Sequence, residues 1–184
     1  MIFKHGYLKF HLFLFLIYLL KKAYLYNISI NNDVKTMENL ADIINDPLLT
    51  NDVNVNLFNE NYNIDCNGKN HLYLHNSLTF NGKNNTKINF QSSDKGSFKI
   101  HFSAGSYNKK LIFNNINFYN YDGTYVENSG IVVGETEEKI DQYTIEFNNC
   151  EFYDIKAMII NIKITCLKKT QSLPQVIFNN CKFK

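Results

Sequence analysis

The 184-residue chain has no arginine, no tryptophan and almost no excess charge. Its 19 lysines nearly balance 17 acidic residues, which leaves a formal net charge of +2. Proteins that bind nucleic acid carry clustered Lys and Arg side chains that neutralise phosphates, and this balance is too even for that role. The composition therefore argues against nucleic acid as a partner.

Patterns that bind metal are also missing. The chain has four cysteines, Cys66, Cys150, Cys166 and Cys181. None of them has the C-x-x-C spacing or the paired histidine of a zinc site. His71 and His75 alternate with leucines as in a strand, where side chains four residues apart lie roughly 13 Å from each other and cannot share an ion. We expect two surface histidines, no metal and no cofactor.

Asparagine is what the chain has in excess, with 29 residues, alongside 15 Phe and 12 Tyr. One short pattern recurs four times: an aliphatic residue, any residue, Phe, Asn, and then Asn or Gly. The copies lie at residues 78–82, 111–115, 145–149 and 176–180, so they start 33, 34 and 31 residues apart. A period of roughly 20 to 50 residues is typical of repeat proteins, whose units bury their apolar faces against their neighbours.

Each copy predicts a strand, a tight corner and a second strand. In the third copy the apolar residues are Ile145 and Phe147 before the asparagine pair, and Cys150 and Phe152 after it. The apolar positions change from odd to even, which a straight strand cannot do, so the pair must bend the chain. Asn and Gly tolerate the left-handed backbone conformation that such a bend needs.

A further strand is expected before each of the last three copies. The apolar residues place it at 98–102, near 131–133, and at Met158, Ile160, Ile162 and Ile164. Upstream, residues 27–30 predict a strand. They are followed by a helix whose apolar stripe is Met37, Leu40, Ala41 and Ile44, and which stops at 46–47.

A unit of three short strands with one fixed corner resembles the right-handed parallel β-helix of the pectate-lyase-like superfamily, over residues 24–184. The resemblance implies an all-β solenoid, with an N-terminal α-helical cap at 24–50 and β-helix coils at 51–184. It implies an asparagine ladder formed by Asn81, Asn114, Asn148 and Asn179. It implies an internal aromatic column formed by Phe80, Phe113, Phe147 and Phe178. A β-sandwich is the alternative fold.

The repeat pattern also predicts whether Cys150 and Cys181 form a disulfide. Cys150 and Cys181 would occupy the same inward position in successive coils. Parallel strands lie about 4.8 Å apart, and side chains that point the same way leave the two Cβ atoms too far apart for an unstrained bridge. We expect both to remain thiols, while the pairing of Cys66 and Cys166 is open.

Residues 1–23 have the composition of a secretory signal peptide. Lys4 and Lys9 precede an apolar run at residues 13–20, which is short for a membrane-spanning helix. Lys21 and Lys22 follow the run, so an uncleaved signal anchor is the alternative. Asn27 and Asn84 lie in N-x-S/T sequons, and both readings predict a secreted or cell-surface glycoprotein.

The resemblance raises the question of polysaccharide cleavage, because lyases of this superfamily use an Arg base with acidic calcium ligands and its hydrolases use clustered Asp residues. This chain has no Arg. The expected outward positions of the first strand in each coil are Lys99, His101, Val132, Ile159, Asn161 and Lys163. None is a carboxylate, and Glu135, Glu137 and Glu138 are assigned to a solvated loop. Lys99 or Lys163 as a base keeps a lyase or hydrolase as the alternative.

The sequence therefore favours a noncatalytic, adhesin-like scaffold that binds polysaccharide or cell-wall glycan. The candidate binding residues are Lys99, His101, Tyr119, Tyr153, Asn161 and Lys163, and ordinary surface is the competing interpretation for each. After strand residues 181–184 no capping segment follows, with only Lys182 and Lys184 to protect the edge. We therefore expect an incomplete β-helix whose last coil self-associates end to end.

Overall fold

A computed structural model describes residues 26–30, 40–46, 49–63, 71–93, 98–102, 108–124, 129–136, 143–163 and 175–184. The expected leader at 1–23, Cys66 and Cys166 lie outside these residues. Asn27 and Asn84 lie in strands, but their side chains are outside the description. Within the described ranges, no helix is long and apolar enough to cross a membrane.

The described elements are thirteen strands and one short helix. In chain order they are β1 (Tyr26–Ile30), α1 (Leu40–Ile44), β2 (Val53–Leu57), β3 (Asn61–Asn63), β4 (His71–Tyr73), β5 (Leu78–Ser93), β6 (Phe98–Phe102), β7 (Lys109–Asp122), β8 (Val132–Thr136), β9 (Tyr143–Asn148), β10 (Glu151–Lys156), β11 (Ile160–Lys163), β12 (Val176–Asn179) and β13 (Lys182–Phe183). An all-β chain is thereby confirmed.

Every strand pairing among these elements is parallel. One sheet has nine strands and contains β1, β2, β3, β5, β7, β9, β10, β12 and β13. A second sheet has four strands in the order β11-β8-β6-β4. Strands that pair come from successive repeats, so the repeats stack on one another with their strands in register.

Phenylalanine rings stack along one side of the larger sheet, buried in the earlier repeats and exposed at Phe178 and Phe183 in the last one. Successive centroids in the column of Phe80, Phe113, Phe147 and Phe178 are 5.1, 5.0 and 5.1 Å apart, with planes within 11° of parallel. A second column formed by Phe118, Phe152 and Phe183 meets the first edge to face. Stacked and edge-to-face pairs both suit the charge distribution of aromatic rings.

Asparagine amides form a parallel ladder at the corner. Asn179 Nδ2 donates to Asn148 Oδ1 at 2.7 Å, Asn148 to Asn114 at 2.9 Å, and Asn114 to Asn81 at 2.8 Å. The four asparagines named from the sequence thus bond to one another from repeat to repeat. The ladder goes one step further, because Asn81 donates to Asn56 at 3.2 Å.

The second asparagine of each pair makes the bend. Asn115, Asn149 and Asn180 have φ values of 57°, 54° and 52°, in the left-handed region. The first copy differs, because its left-handed residue is Asn85, and the pairing with β7 jumps from Asn81 to Thr86. The Asn81–Gly82 copy is therefore a longer corner than the sequence pattern suggested.

The first strand of the third repeat lies further along the chain than expected. It is β8, from Val132 to Thr136, and Val132 is buried opposite Phe98 and Ile160. Val132 was assigned to the outward face, and that assignment is wrong. Gly134 takes the next inward position. Because glycine has no side chain, it interrupts the apolar alternation that marks a strand in the sequence. Met158, expected to point inward, is 54% exposed and precedes β11.

The short helix packs on the first repeats. Leu40, Ala41 and Ile44 are buried in the common core. At the end of the helix, Asn45 Nδ2 donates to the carbonyl oxygen of His71, and its Oδ1 accepts from the Tyr73 N–H, both at 2.8 Å. One amide thereby satisfies two backbone groups at the edge of β4, which fixes that strand.

Cys150 and Cys181 follow the left-handed corners of successive repeats and are both free thiols, as expected. Cys150 Sγ donates to the Phe113 carbonyl oxygen and Cys181 Sγ to that of Phe147, at 3.5 and 3.3 Å. Burial raises the pKa of the Cys150 thiol to about 12. Cys181 is only half-buried.

The aromatic column should carry much of the stability. Phe147 is fully buried between two rings, so Phe147→Ala should lower the free energy of unfolding by about 3 to 5 kcal/mol. Phe183 is 57% exposed, and Phe183→Ala is the matched control with a much smaller expected loss. Urea unfolding followed by circular dichroism measures both. Equal losses for the two variants would show that the column is not the core.

The two thiols should differ in reactivity. In a variant with Cys66→Ser and Cys166→Ser, Ellman's reagent should modify Cys181 at least about 100-fold faster than Cys150, because a buried thiol with a raised pKa is almost never a thiolate. Denaturation should remove the difference. Equal rates in the folded protein, or a Cys150–Cys181 disulfide found by mass spectrometry, would contradict the inward placement of Cys150.

Candidate functional site

A groove of about 340 Å³ runs across the outward face of the four-stranded sheet. Parallel register lines up two rows of side chains along it. The first row is His71, Lys99, Val133 and Asn161, and the second row is Tyr73, His101, Glu135 and Lys163. We call these residues the outward groove. Its floor includes Ile100 and Gly134.

A carboxylate lies in this groove, which corrects the sequence interpretation. Glu135 is part of β8 and pairs with His101 on one side and Lys163 on the other. It was assigned to a loop, because the inward Gly134 interrupts the apolar alternation that marks a strand. The outward residue beside Lys99 is Val133, one position beyond Val132. Glu137 and Glu138 lie outside the described residues.

Three polar side chains in the groove form a continuous chain. His101 Nδ1 lies 3.2 Å from Glu135 Oε1, and His101 Nε2 lies 3.0 Å from His71 Nδ1. An ionised carboxylate only accepts hydrogen bonds, so His101 Nδ1 carries a hydrogen. In neutral His101 the Nε2 atom is then an acceptor, and His71 Nδ1 donates to it. We call this the Glu135–His101–His71 chain.

The surroundings of His71 favour its neutral form. Burial lowers the pKa of His71 below its usual value, and the nearby Lys99 and His101 lower it further, while Glu135 acts in the opposite direction. The Tyr73 ring stacks on His101 at a centroid distance of 4.8 Å and an angle of 18°, which holds the imidazole in place.

The groove has more positive than negative charge. Glu135 is bonded to His101, whereas neither Lys99 nor Lys163 forms an ion pair within the part of the chain that is described. Both lysines are exposed. Other lysines are paired, for example Lys156 with Asp122 at 3.1 Å and Lys110 with Glu146 at 2.9 Å. Two ammonium groups that pair with no described carboxylate are therefore available to a ligand in the groove.

Four of the six candidate binding residues come together in the groove: Lys99, His101, Asn161 and Lys163. The other two, Tyr119 and Tyr153, lie on β7 and β10 of the larger sheet. Their rings stack on each other at 5.0 Å and 12°. Because the ring faces are in mutual contact, the space between them offers no platform for a sugar ring, and the pair belongs to a different surface.

Sequence reasoning missed His71, Tyr73 and Glu135. The alternation in residues 71–75 already placed His71 and Tyr73 on one face of a strand. What the sequence does not give is the register between repeats, which brings His71 next to a histidine 30 residues later. Glu135 could be found only by accepting a strand with an inward glycine.

A second polar basin, of about 380 Å³, lies at the corner of the larger sheet. It is lined by Asn85, Asn115, Asn117, Asn149 and Glu151. Its carboxylate is already bonded to Lys182 and Lys184, at 2.9 and 3.1 Å. The side chains available to a ligand in this second pocket are therefore mainly amides. Within the described ranges, no three His, Cys, Asp or Glu side chains converge as metal ligands would.

Comparison with known proteins adds no relative: no family model, no curated protein and no solved structure matches this chain.

Proposed function

We propose that the chain is a secreted or cell-surface β-helix scaffold that binds acidic polysaccharide in the outward groove, without cleaving it. Lys99 and Lys163, which have no ion-pair partner among the described residues and lie in a groove formed by four parallel strands, carry this proposal. Carboxylate or sulfate groups of a glycan would pair with Lys99 and Lys163, and the Asn161 amide and the imidazoles would bond to hydroxyl groups.

The proposed fold is a right-handed parallel β-helix, with α1 as part of an N-terminal cap. Support comes from strands that pair only in parallel, from the asparagine ladder, and from the stacked rings. Residues 1–23 are proposed as the secretory leader on their composition alone. Asn27 and Asn84 are proposed glycosylation sites on the same basis.

The shape of the groove suits a chain-like ligand. Four parallel strands at about 4.8 Å spacing give a surface roughly 14 Å long, perpendicular to the strands. Its contacts are spread over several polar side chains on different repeats. A polymer can make many weak contacts along such a surface, which repeat proteins commonly use for binding.

Catalysis is the second candidate, and one observation favours it. A histidine oriented by a carboxylate is a common arrangement for a general base, and the Glu135–His101 contact of 3.2 Å has that form. A polysaccharide lyase or glycoside hydrolase would then act at the same groove. Among the described residues Glu135 is the one carboxylate that lines the groove, and the chain has no arginine, which makes this the weaker proposal.

The binding proposal predicts that the groove lysines decide affinity. Replacing both Lys99 and Lys163 by Met should weaken binding to polygalacturonate by about tenfold or more, and added salt should weaken the unmodified protein in the same way. Lys156→Met is the matched control, because Lys156 is paired with Asp122. Isothermal titration calorimetry measures the three proteins, with a neutral glucan as the comparison ligand.

Equal affinity of the double variant and the control, or equal binding of the neutral glucan, would overturn the acidic-ligand proposal. Absorbance of the same mixtures also tests catalysis. Unsaturated products released by the unmodified protein and not by a His101→Gln variant would establish the lyase alternative.

A further inference from the structure

The geometry of the two histidines shows a linear hydrogen bond. Their ring centroids are 5.2 Å apart while the bonded nitrogens are 3.0 Å apart. For nitrogens 3.0 Å apart, a centroid separation of 5.2 Å is close to the longest possible. The line between the two nitrogens therefore passes near both ring centres. Each nitrogen therefore directs its hydrogen or lone pair at the other. Lone pairs that converged on a common ion would bring the centroids closer together.

The linear bond holds one hydrogen between His71 and His101. If both rings were protonated, two N–H groups would point at each other across 3.0 Å, which is strongly unfavourable. The pair therefore accepts one proton and resists a second. His71 Nε2, on the far side of its ring, makes no hydrogen bond among the described residues.

The hydrogens can be followed through one protonation. In the neutral chain, His101 Nδ1–H donates to Glu135, His71 Nδ1–H donates to His101 Nε2, and His71 Nε2 has a free lone pair. A proton from solvent adds to His71 Nε2. The Nδ1 hydrogen of His71 can then pass to His101 Nε2, which leaves the positive charge beside the Glu135 carboxylate. In either position of the charge, His71 Nε2 now carries a hydrogen.

We propose that His71 is a specificity-determining residue of the outward groove: its Nε2 accepts a hydrogen bond from a ligand hydroxyl at neutral pH, and donates one to a ligand carboxylate or sulfate in mild acid. The ligand part of this inference rests on the proposed function. It makes acidic glycan bind more tightly once the pH is low enough to protonate His71 Nε2.

The groups around His71 and His101 determine how the two histidines respond to pH. Tyr73 and His71 lie on β4, Lys99 and His101 on β6, Glu135 on β8, and Asn161 and Lys163 on β11. On α1, Asn45 bonds to the backbone of β4 and carries no charge. Burial, Lys99 and the neighbouring His101 oppose protonation of His71, and Glu135 favours it. The carboxylate therefore controls the direction in which the hydrogens point.

Nitrogen-15 NMR of the imidazole rings tests this in the full chain without ligand. As the pH falls from about 8 to about 4, His71 Nε2 should change from unprotonated to protonated, at a pH below the usual histidine value because burial lowers the pKa of His71, and the pair should gain a single proton. Signals are assigned from His71→Gln and His101→Gln variants. In Glu135→Gln, the amide can accept from His101 Nδ1 or donate to it, so His101 is no longer fixed in one tautomer. Both tautomers of His71 should then be present at about pH 8. Glu146→Gln, whose carboxylate pairs with Lys110, is the matched control.

Two independent protonations, or a His71 Nε2 that already carries hydrogen at about pH 8, would overturn the inference. Because no ligand is present, this result does not depend on whether a glycan binds. With polygalacturonate, affinity should be about fivefold higher near pH 4.5 than near pH 7.5, because the pKa of His71 is lowered, and Glu135→Gln should lose most of that ratio. Lysine-dependent binding with the same affinity at both pH values would retain the proposed function and overturn the role of His71.

Discussion

The asparagine ladder is the interaction on which the rest of this structure depends. Each amide donates to the amide oxygen of the preceding repeat, from Asn179 down to Asn56. The amides from Asn56 to Asn148 are half-buried, so a slipped repeat would lose a partly shielded hydrogen bond at each of these steps. The residue after each of the last three ladder asparagines is left-handed, which fixes the direction of the next strand. The ladder thus sets both the register of the repeats and the angle of the corner.

The register between repeats then determines which side chains are neighbours in the core and on the outward face. On the inside it brings phenylalanines 33 and 34 residues apart into one stacked column, parallel to the ladder. On the outside it places side chains of β4, β6, β8 and β11 in two rows. Tyr73, His101, Glu135 and Lys163 share one row through backbone pairing alone. The described part of the groove is therefore a consequence of the stacking of strands from successive repeats.

The sequence predicted the parts of the fold that repeat locally. Phe, Asn and the corner residue recur at fixed offsets, so the column and the ladder could be assigned residue by residue. Asn56 was not predicted as part of the ladder, because its strand has Val55 where the later copies have Phe. The groove was only half predicted, since Lys99, His101, Asn161 and Lys163 follow from alternation, whereas Glu135 follows a glycine. Segments of different length separate the first strand of each repeat from its corner in the sequence, so the contact between His71 and His101 could not be read from spacing.

The central claim is that successive repeats pair in parallel and in register, and solution NMR tests it most directly. Nuclear Overhauser contacts should connect Leu111 with Ile145 and Phe113 with Phe147 in the same order along both strands, together with the side-chain amides of Asn114 and Asn148. Contacts in opposite order along these two segments would mean antiparallel pairing, as in a β-sandwich, and would contradict the account.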